Sequence, residues 1–581
     1  MHKRSLLNVA ISIALFGTTS AALAAGSNAN TMIDPTVTGL NAKEVFTVGE
    51  TFTNTTGALN PTTAGDYTPP GILDGLGAYE LDENTVRVFA NHELLHFRGY
   101  PYEVSNGSGG TFSMTGARVS YFDFDKKSMK IVDAGLAYHT IYDANGNVAS
   151  DKTFLAEPYA PFFGGPGDSA QLQGFSRFCS SVLVEPHQFG DGRGIENTIY
   201  FTGEEDGTGF NSVGGAEWAL DVATGSLWAV PAMGRGAWEN VTEINSGDDE
   251  KVAFILADDS SPFDFDDDGV DEAAPLFLYV GTKNPSGDFL GVNGLRDGKL
   301  YVYVPDDGST TPVDFNGTGA TQKGTWKLVD NSPTGTPSQD GTSGYDEYGY
   351  PTQGNLWLQA EDLGAFGFSR PEDVAVNPAN GTQVVLASTG VDTYVGGADT
   401  FGTTYVIDVD VPGLTADVKI VYDGDDDLSR ALRSPDNLDW ADDGLIYVQE
   451  DQAEEDSLTG EPLFGPSAAN PNEAGMVSID PNTGELLRIY NIDRSVVQDR
   501  SIANKNDAVD KDEGDAGEWE TSGILDVSSL FHRQPGTLFL LDVQAHGIED
   551  QDEFNAESRI VDGDLVEGGQ LVVLKAIGNT K

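Results

Sequence analysis

Five clusters of polar side chains stand at the ends of short apolar runs, and their residue types suit one chemistry. They are Asn91-His92-Glu93, Glu204-Glu205, Trp238-Glu239, Ser369-Arg370-Pro371-Glu372-Asp373 and Ser434-Pro435-Asp436-Asn437. Carboxylates gathered from such junctions can bridge hard cations, which take oxygen ligands. Arg370 is suited to hold an anion bidentately and to offset charge that develops in a transition state. Each cluster alone also has a plainer reading. Ser-Pro-Asp-Asn is a common turn, and Arg370 with Glu372 would make an ordinary ion pair.

Two further features bear on metal chemistry. Cys179 is the single cysteine of the chain, so no intramolecular disulfide can form. A lone thiol is usually inert and buried. Among hard carboxylates it would instead favour iron or zinc over calcium, and as a nucleophile it would need a nearby histidine. The second feature is Asp264-Phe265-Asp266-Asp267-Asp268-Gly269, which has the D-x-D-x-D-G form of a calcium loop. Asp264, Asp266 and Asp268 alternate, and Gly269 permits the sharp turn. Position 12 of that loop is Pro275, so Asp271 or Glu272 would have to supply the last ligand. Asp423–Asp427 is a weaker candidate, and Asp143–Asn147 reads as a hairpin turn.

The elements that must position these groups are strands. Six apolar runs lead into polar clusters: Val86–Glu93, Thr198–Asp206, Leu276–Asn284, Val384–Asp392, Leu445–Asp451 and Leu538–Asp550. Each is followed by a second strand with apolar alternation, an aspartate and a Gly-bearing turn, as in Glu217–Val230 and Met476–Tyr490. Helical periodicity is nearly absent. Six strand pairs predict an all-β, six-bladed β-propeller with long loop insertions, in which the six junctions end the inner strands around one mouth. An array of β-sandwiches is the competing fold. Residues 308–354 and 499–519 are expected to be surface insertions.

The bulk properties agree with this picture. Of 581 residues, 92 are acidic and 32 are Lys or Arg, for a net charge of −60. Such a surface repels nucleic acid and anionic membranes, and it suits a salty exterior or a collector of cations. Gly at 70 residues and 10% aromatics fit a turn-rich β protein. At the N-terminus, His2-Lys3-Arg4, the apolar run Leu6–Phe16 and Ala22-Leu23-Ala24 read as a secretory signal over residues 1–25. The run is too short to span a bilayer. Residues 26–581 are then expected to form one exported domain, monomeric and without a membrane anchor, in the periplasm or outside the cell.

In this order the motifs resemble the PhoX-type secreted alkaline phosphatases. The resemblance rests on Asn91–Glu93, on Cys179 upstream of Glu204-Glu205, and on the G-R-x-x-x-E of Gly234–Glu239. It continues with Arg370-Pro371-Glu372-Asp373 and Ser434–Leu438, and covers roughly residues 75–550. It implies a six-bladed propeller holding a mixed iron–calcium cluster that hydrolyses phosphate monoesters. Cys179 and Glu239 would bind iron (Fe3+), with Glu372 a further ligand. Glu93, Glu204, Glu205 and Asp436 would serve calcium (Ca2+) or bridge, and Asp264, Asp266 and Asp268 would hold a structural calcium. Arg370 would hold the phosphate, with Asn437 beside it, while a metal-held oxygen attacks phosphorus in line. The chain departs from the family pattern in its leader, which has Lys3-Arg4 and no twin arginine, and at Gln544-Ala545-His546-Gly547, where the family has Gln-His-Pro-Gly. Within the enzymes, the alternatives are a calcium-only phytase-like activity or a phosphodiesterase. Outside them, the alternative is a calcium-stabilised binding propeller.

Overall fold

The computed structural model describes residues 31–155, 173–207, 211–266, 268–338, 341–391, 397–426, 432–453, 462–468, 470–498, 516–549 and 565–577. The expected signal at 1–25 and most of the 499–519 segment lie outside these residues. Apolar alternation along most of the chain gives strands, and the strands form successive antiparallel meanders.

A first long strand, β1 (Leu40–Thr47), is set aside for the end of the chain. The first sheet then runs β2 (Leu73–Asp82), β3 (Thr85–His92), β4 (Arg118–Asp125), β5 (Lys130–Leu136). The second is β6 (Phe178–Val184), β7 (Ile199–Glu204), β8 (Gly215–Asp221), β9 (Ser226–Ala229). The third is β10 (Trp238–Ile244), β11 (Lys251–Asp258), β12 (Phe277–Thr282), β13 (Lys299–Pro305), β14 (Thr321–Val329). The fourth, β15 (Pro371–Val376), β16 (Gln383–Ser388), β17 (Thr403–Asp410), β18 (Thr415–Asp423), joins the third through antiparallel pairing of β14 with β18. The fifth is β19 (Pro435–Trp440), β20 (Ile446–Glu450), β21 (Gly475–Ile479), β22 (Leu486–Ile492). The sixth, β23 (Glu520–Asp526), β24 (Leu538–Glu549), β25 (Glu567–Ala576), is completed by β1, whose Leu40 pairs with Ala576 and Thr47 with Gln570. The two ends of the chain therefore share one sheet.

The first strands of the meanders touch in a closed cycle: β2 on β6, β6 on β10, β10 on β15, β15 on β19, β19 on β23, and β23 back on β2. Apolar side chains fill the spaces between consecutive sheets. Tyr200 and Phe89 pack between the first and second, Phe201 and Phe254 between the second and third, and Ile255 and Ile407 between the third and fourth. Truncating one such side chain costs about 2–5 kcal/mol. The inner strands approach closely enough to demand glycine: a Cβ on Gly75 of β2 would lie 2.5 Å from the backbone of Ser180 and Ser181 in β6.

Three expectations need correction. The strands read as inner, such as Val86–His92 and Ile446–Glu450, are the second strands of their sheets. The innermost strands are the segments before them, which carry polar residues where the pattern wanted apolar ones. In the third sheet, Leu276–Asn284 falls on β12, one strand further out, and the matching junction is Lys251–Asp259. The 308–354 segment is also not all loop, because it contains β14.

Candidate metal centre

One backbone device recurs in all six sheets and positions the chemistry. The pairing of inner and second strand slips after Leu73, Phe178, Trp238, Pro371, Pro435 and Thr521. Such a bulge leaves the next residue out of the ladder and re-aims its side chain. Those next residues are Asp74, Cys179, Glu239, Glu372, Asp436 and Ser522. The turn entering the strand is left-handed at Ile72 (φ +46°), Arg177 (+49°), Arg370 (+57°) and Ser434 (+44°), a conformation uncommon outside glycine. Five cross-links close the same corner: Glu93 N donates to Ile72 O (2.9 Å), Glu205 N to Arg177 O (2.8 Å), Asp259 N to Ala237 O (2.8 Å), Thr389 N to Arg370 O (3.0 Å) and Asp451 N to Ser434 O (2.9 Å). A second tier of acids, Glu93, Glu205, Asp259 and Asp451, is thereby fixed just beyond the bulge residues.

The two tiers meet. Ligand atoms of Asp74, Glu93 and Cys179 lie within 4.8 Å of one another, as do those of Cys179, Glu205 and Glu239, of Glu239, Asp259 and Glu372, and of Asp436, Asp451 and Glu520. Cys179 Sγ donates to Asp74 Oδ2 at 3.0 Å. Burial pushes the Cys179 thiol well up, and the nearby Asp74 and Glu239 add to it. Burial likewise holds Asp74, Glu205, Glu239, Glu372 and Asp436 well above the carboxylate range, reinforced by their acidic neighbours. Asp451 is pushed up to about 8, mainly by burial and then by Glu520. Glu239 Oε2 and Asp436 Oδ1 are buried with no hydrogen-bond partner. Packed acids with orphaned oxygens beside a thiol form groups that could hold metal ions.

Two arginines face this acid field. Arg177 Nε donates to Glu93 at 2.9 Å and its Nη2 to Glu205. Arg370 is held bidentately by Asp259, at 2.8 and 2.7 Å, with Glu372 at 3.2 Å and Asp451 at 3.5 Å from its other contacts. Both guanidinium groups line a cavity of about 310 Å³ together with Glu205 and Asp259. Asn437 donates to Asp74 Oδ1 at 3.1 Å, and Gln544 donates to Asp74 (3.2 Å), Glu93 (3.1 Å) and Ser522 (2.9 Å).

Of the residues expected from sequence, Glu93, Cys179, Glu205, Glu239, Glu372 and Asp436 come together, with Arg370 and Asn437 beside them. Glu204 does not join them. As the neighbour of Glu205 on a strand it points the other way, and its carboxylate accepts from Ser176 N (3.2 Å) and Trp218 Nε1 (3.1 Å). Asp264, Asp266 and Asp268 form a separate, mostly exposed group. Asp74, Arg177, Asp259 and Glu520 were not anticipated. Asp259 had a legible signal, the apolar run of β11 ending in Asp258-Asp259; Asp74 and Arg177 had none.

Comparison with known proteins gives this geometry a family. Residues 228–495 match the family described as alkaline phosphatase PhoX. No curated protein matches the chain. Among solved structures, Pseudomonas fluorescens PhoX in complex with vanadate, a transition state analogue, is 15% identical over 95% of this chain and 97% of its own, with a TM-score of 0.56. The α-L-arabinofuranosidase Arb93A of Fusarium graminearum, in complex with an iminosugar inhibitor, is 10% identical over 91% of this chain and 98% of its own; its TM-score of 0.34 is too low to carry an argument. The enzyme class is a phosphatase. Over residues 228–495 the chain is similar to the PhoX alkaline phosphatases, as its motifs led one to expect. Among the described residues no helix is long and apolar enough to cross a membrane.

Proposed function

We propose that the protein is an exported phosphomonoesterase built as a six-bladed β-propeller, with its site where the six bulges converge. The closed cycle of inner strands and the closure of the last sheet by β1 support that architecture. The observation that carries the function is the run of overlapping acid groups, one including a thiol, opening on a cavity that two arginines share.

The donor set fits a mixed iron–calcium centre. Cys179 with Asp74, Glu205 and Glu239 offers the softer ligand that iron accepts, and the all-oxygen groups around Glu372 and Asp436 suit calcium. Cations held there would neutralise phosphoryl oxygens and lower the pKa of water. Arg370 takes the substrate phosphate. Asp259 fixes its Nε and Nη2 edge, so the guanidinium is already oriented when the anion arrives. Arg177, held by Glu93 and Glu205, brackets the same cavity and steers the anion through an otherwise negative field. Asn437 and Gln544 donate to Asp74 and keep that carboxylate turned to the ring. Asp264, Asp266 and Asp268 would hold a separate structural calcium. Small phosphorylated molecules are the substrates, and the N-terminal leader supports export of a monomer.

Turnover of p-nitrophenyl phosphate by the purified protein, before and after chelation, tests this reading. Hydrolysis that is lost on chelation and restored by added metal is expected. Unchanged turnover after chelation, or none before it, would overturn the proposal.

A further inference from the structure

The cavity that holds the two arginines has a second, chemically different wall. Besides Arg177, Glu205, Asp259 and Arg370 it is lined by Pro262, Phe263, Phe265 and Trp357. Its volume of about 310 Å³ is at the small end of ligand pockets, which run from ~300 to 1,000 Å³, and exceeds what a phosphate alone requires. Phe263 is half exposed at 50%. It meets Phe265 edge-on with ring centroids 5.0 Å apart, and Phe265 meets Trp357 edge-on at 5.3 Å. The ladder ends on a polar anchor: Trp357 Nε1 donates to Asp258 Oδ2 at 2.8 Å, one residue before the Asp259 that orients Arg370. Trp357 and Arg370 are therefore both tied by hydrogen bonds to one strand end, at Asp258 and Asp259.

Of the polar side chains beside this wall, Gln353 and Ser260 are committed to Asp258, which leaves the Ser261 hydroxyl. Gln353 Nε2 donates to Asp258 (2.8 Å) and Ser260 (2.8 Å), and Ser260 Oγ donates to Asp258 (3.1 Å). A hydroxyl-rich leaving group would find few partners there, whereas a flat ring would stack on aromatic faces and edges.

We propose that this wall is the subsite for the organic half of the substrate, and that it selects monoesters of flat aromatic alcohols. The inference rests on the phosphatase reading, with Arg370 holding the phosphate and the ring lying against Phe263 and Phe265.

The test compares competitive inhibition by phenylphosphonate, methylphosphonate and inorganic phosphate, in the metal-loaded wild type and in Phe263→Ala and Phe263→Trp. Non-hydrolysable phosphonates remove the leaving-group advantage that aryl esters carry in kcat. Phe263→Ala is expected to weaken phenylphosphonate by about 5- to 10-fold, the loss of one aromatic contact, with methylphosphonate and phosphate unmoved. Phe263→Trp is expected to keep the preference. Equal inhibition by the two phosphonates in the wild type, or a parallel loss for all three anions in Phe263→Ala, would overturn the subsite while leaving the phosphatase reading intact. A wild type that neither binds phosphate nor hydrolyses any monoester would bring down both.

Discussion

The molecule carries two collections of carboxylates, and they differ in nearly everything except residue type. Four ring acids, Asp74, Glu239, Glu372 and Asp436, stand on β-bulges of inner strands and are buried, and Glu239 and Asp436 leave oxygens without hydrogen-bond partners. The acids of the Asp264–Asp268 loop stand close in sequence, are mostly exposed, and partly satisfy themselves: Asp264 accepts from Asp268 N (3.0 Å) and Gly269 N (2.8 Å), and Asp266 from Asp268 N (3.1 Å). The loop manages its charge with backbone N–H groups and water. The ring has few donors for many acids, chiefly the two arginines, Asn437 and Gln544, so its charge is costly until a cation neutralises it. Local sequence pattern advertises the loop; convergence of distant segments makes the ring.

The largest effect that separates the two regions should come from Arg370. Arg370→Ala removes the group proposed to hold phosphate, and inorganic phosphate should inhibit about 10- to 100-fold less well, the worth of a charge-assisted contact. Unaltered inhibition would reduce Arg370 to the partner of Asp259 and Glu372.

A smaller effect should appear in the pH dependence of stability after chelation. Burial raises Asp74, Glu205, Glu239, Glu372 and Asp436 well above their unfolded values and pushes Asp451 up to about 8. The native state then binds more protons than the unfolded one, so stability present below about pH 4 is lost as pH rises toward 8, at roughly 1.4 kcal/mol per proton per pH unit. Urea unfolding of the chelated protein should give a lower midpoint at pH 8 than at pH 5, and added calcium should close the gap. A midpoint that ignores pH would mean that the ring acids are paired without cations.

The smallest effect belongs to the loop. Asp264→Asn should lower thermal stability in calcium by about 1 kcal/mol or less and leave turnover within about twofold, because exposed charges contribute little. A loss of activity as large as that of a ring variant would erase the distinction between the regions.

Much of this was legible in the sequence, for identifiable reasons. Alternating apolar runs marked the second strands, since they are the most buried and most regular. Their terminal acids gave Glu93 and Glu205 directly. The true inner strands were hidden because Leu73–Asp82 and Pro435–Trp440 interrupt their apolar pattern with the very residues that face the ring. Cys179, Glu239, Glu372 and Asp436 were marked as candidates by residue type, and motif resemblance gave them their roles. Asp74 and Arg177 were missed because a bulge and a left-handed turn, which no periodicity records, decide where they point. Glu204 was misread for the converse reason: strand alternation turns it away from its neighbour Glu205.

The account turns on the ring holding iron through its one soft ligand. Elemental analysis of the natively purified wild type and of Cys179→Ala tests that claim most directly. Iron together with calcium is predicted in the wild type, with iron lost and the fold retained in Cys179→Ala. Equal iron in both proteins, or a wild type that is active with none, would contradict it.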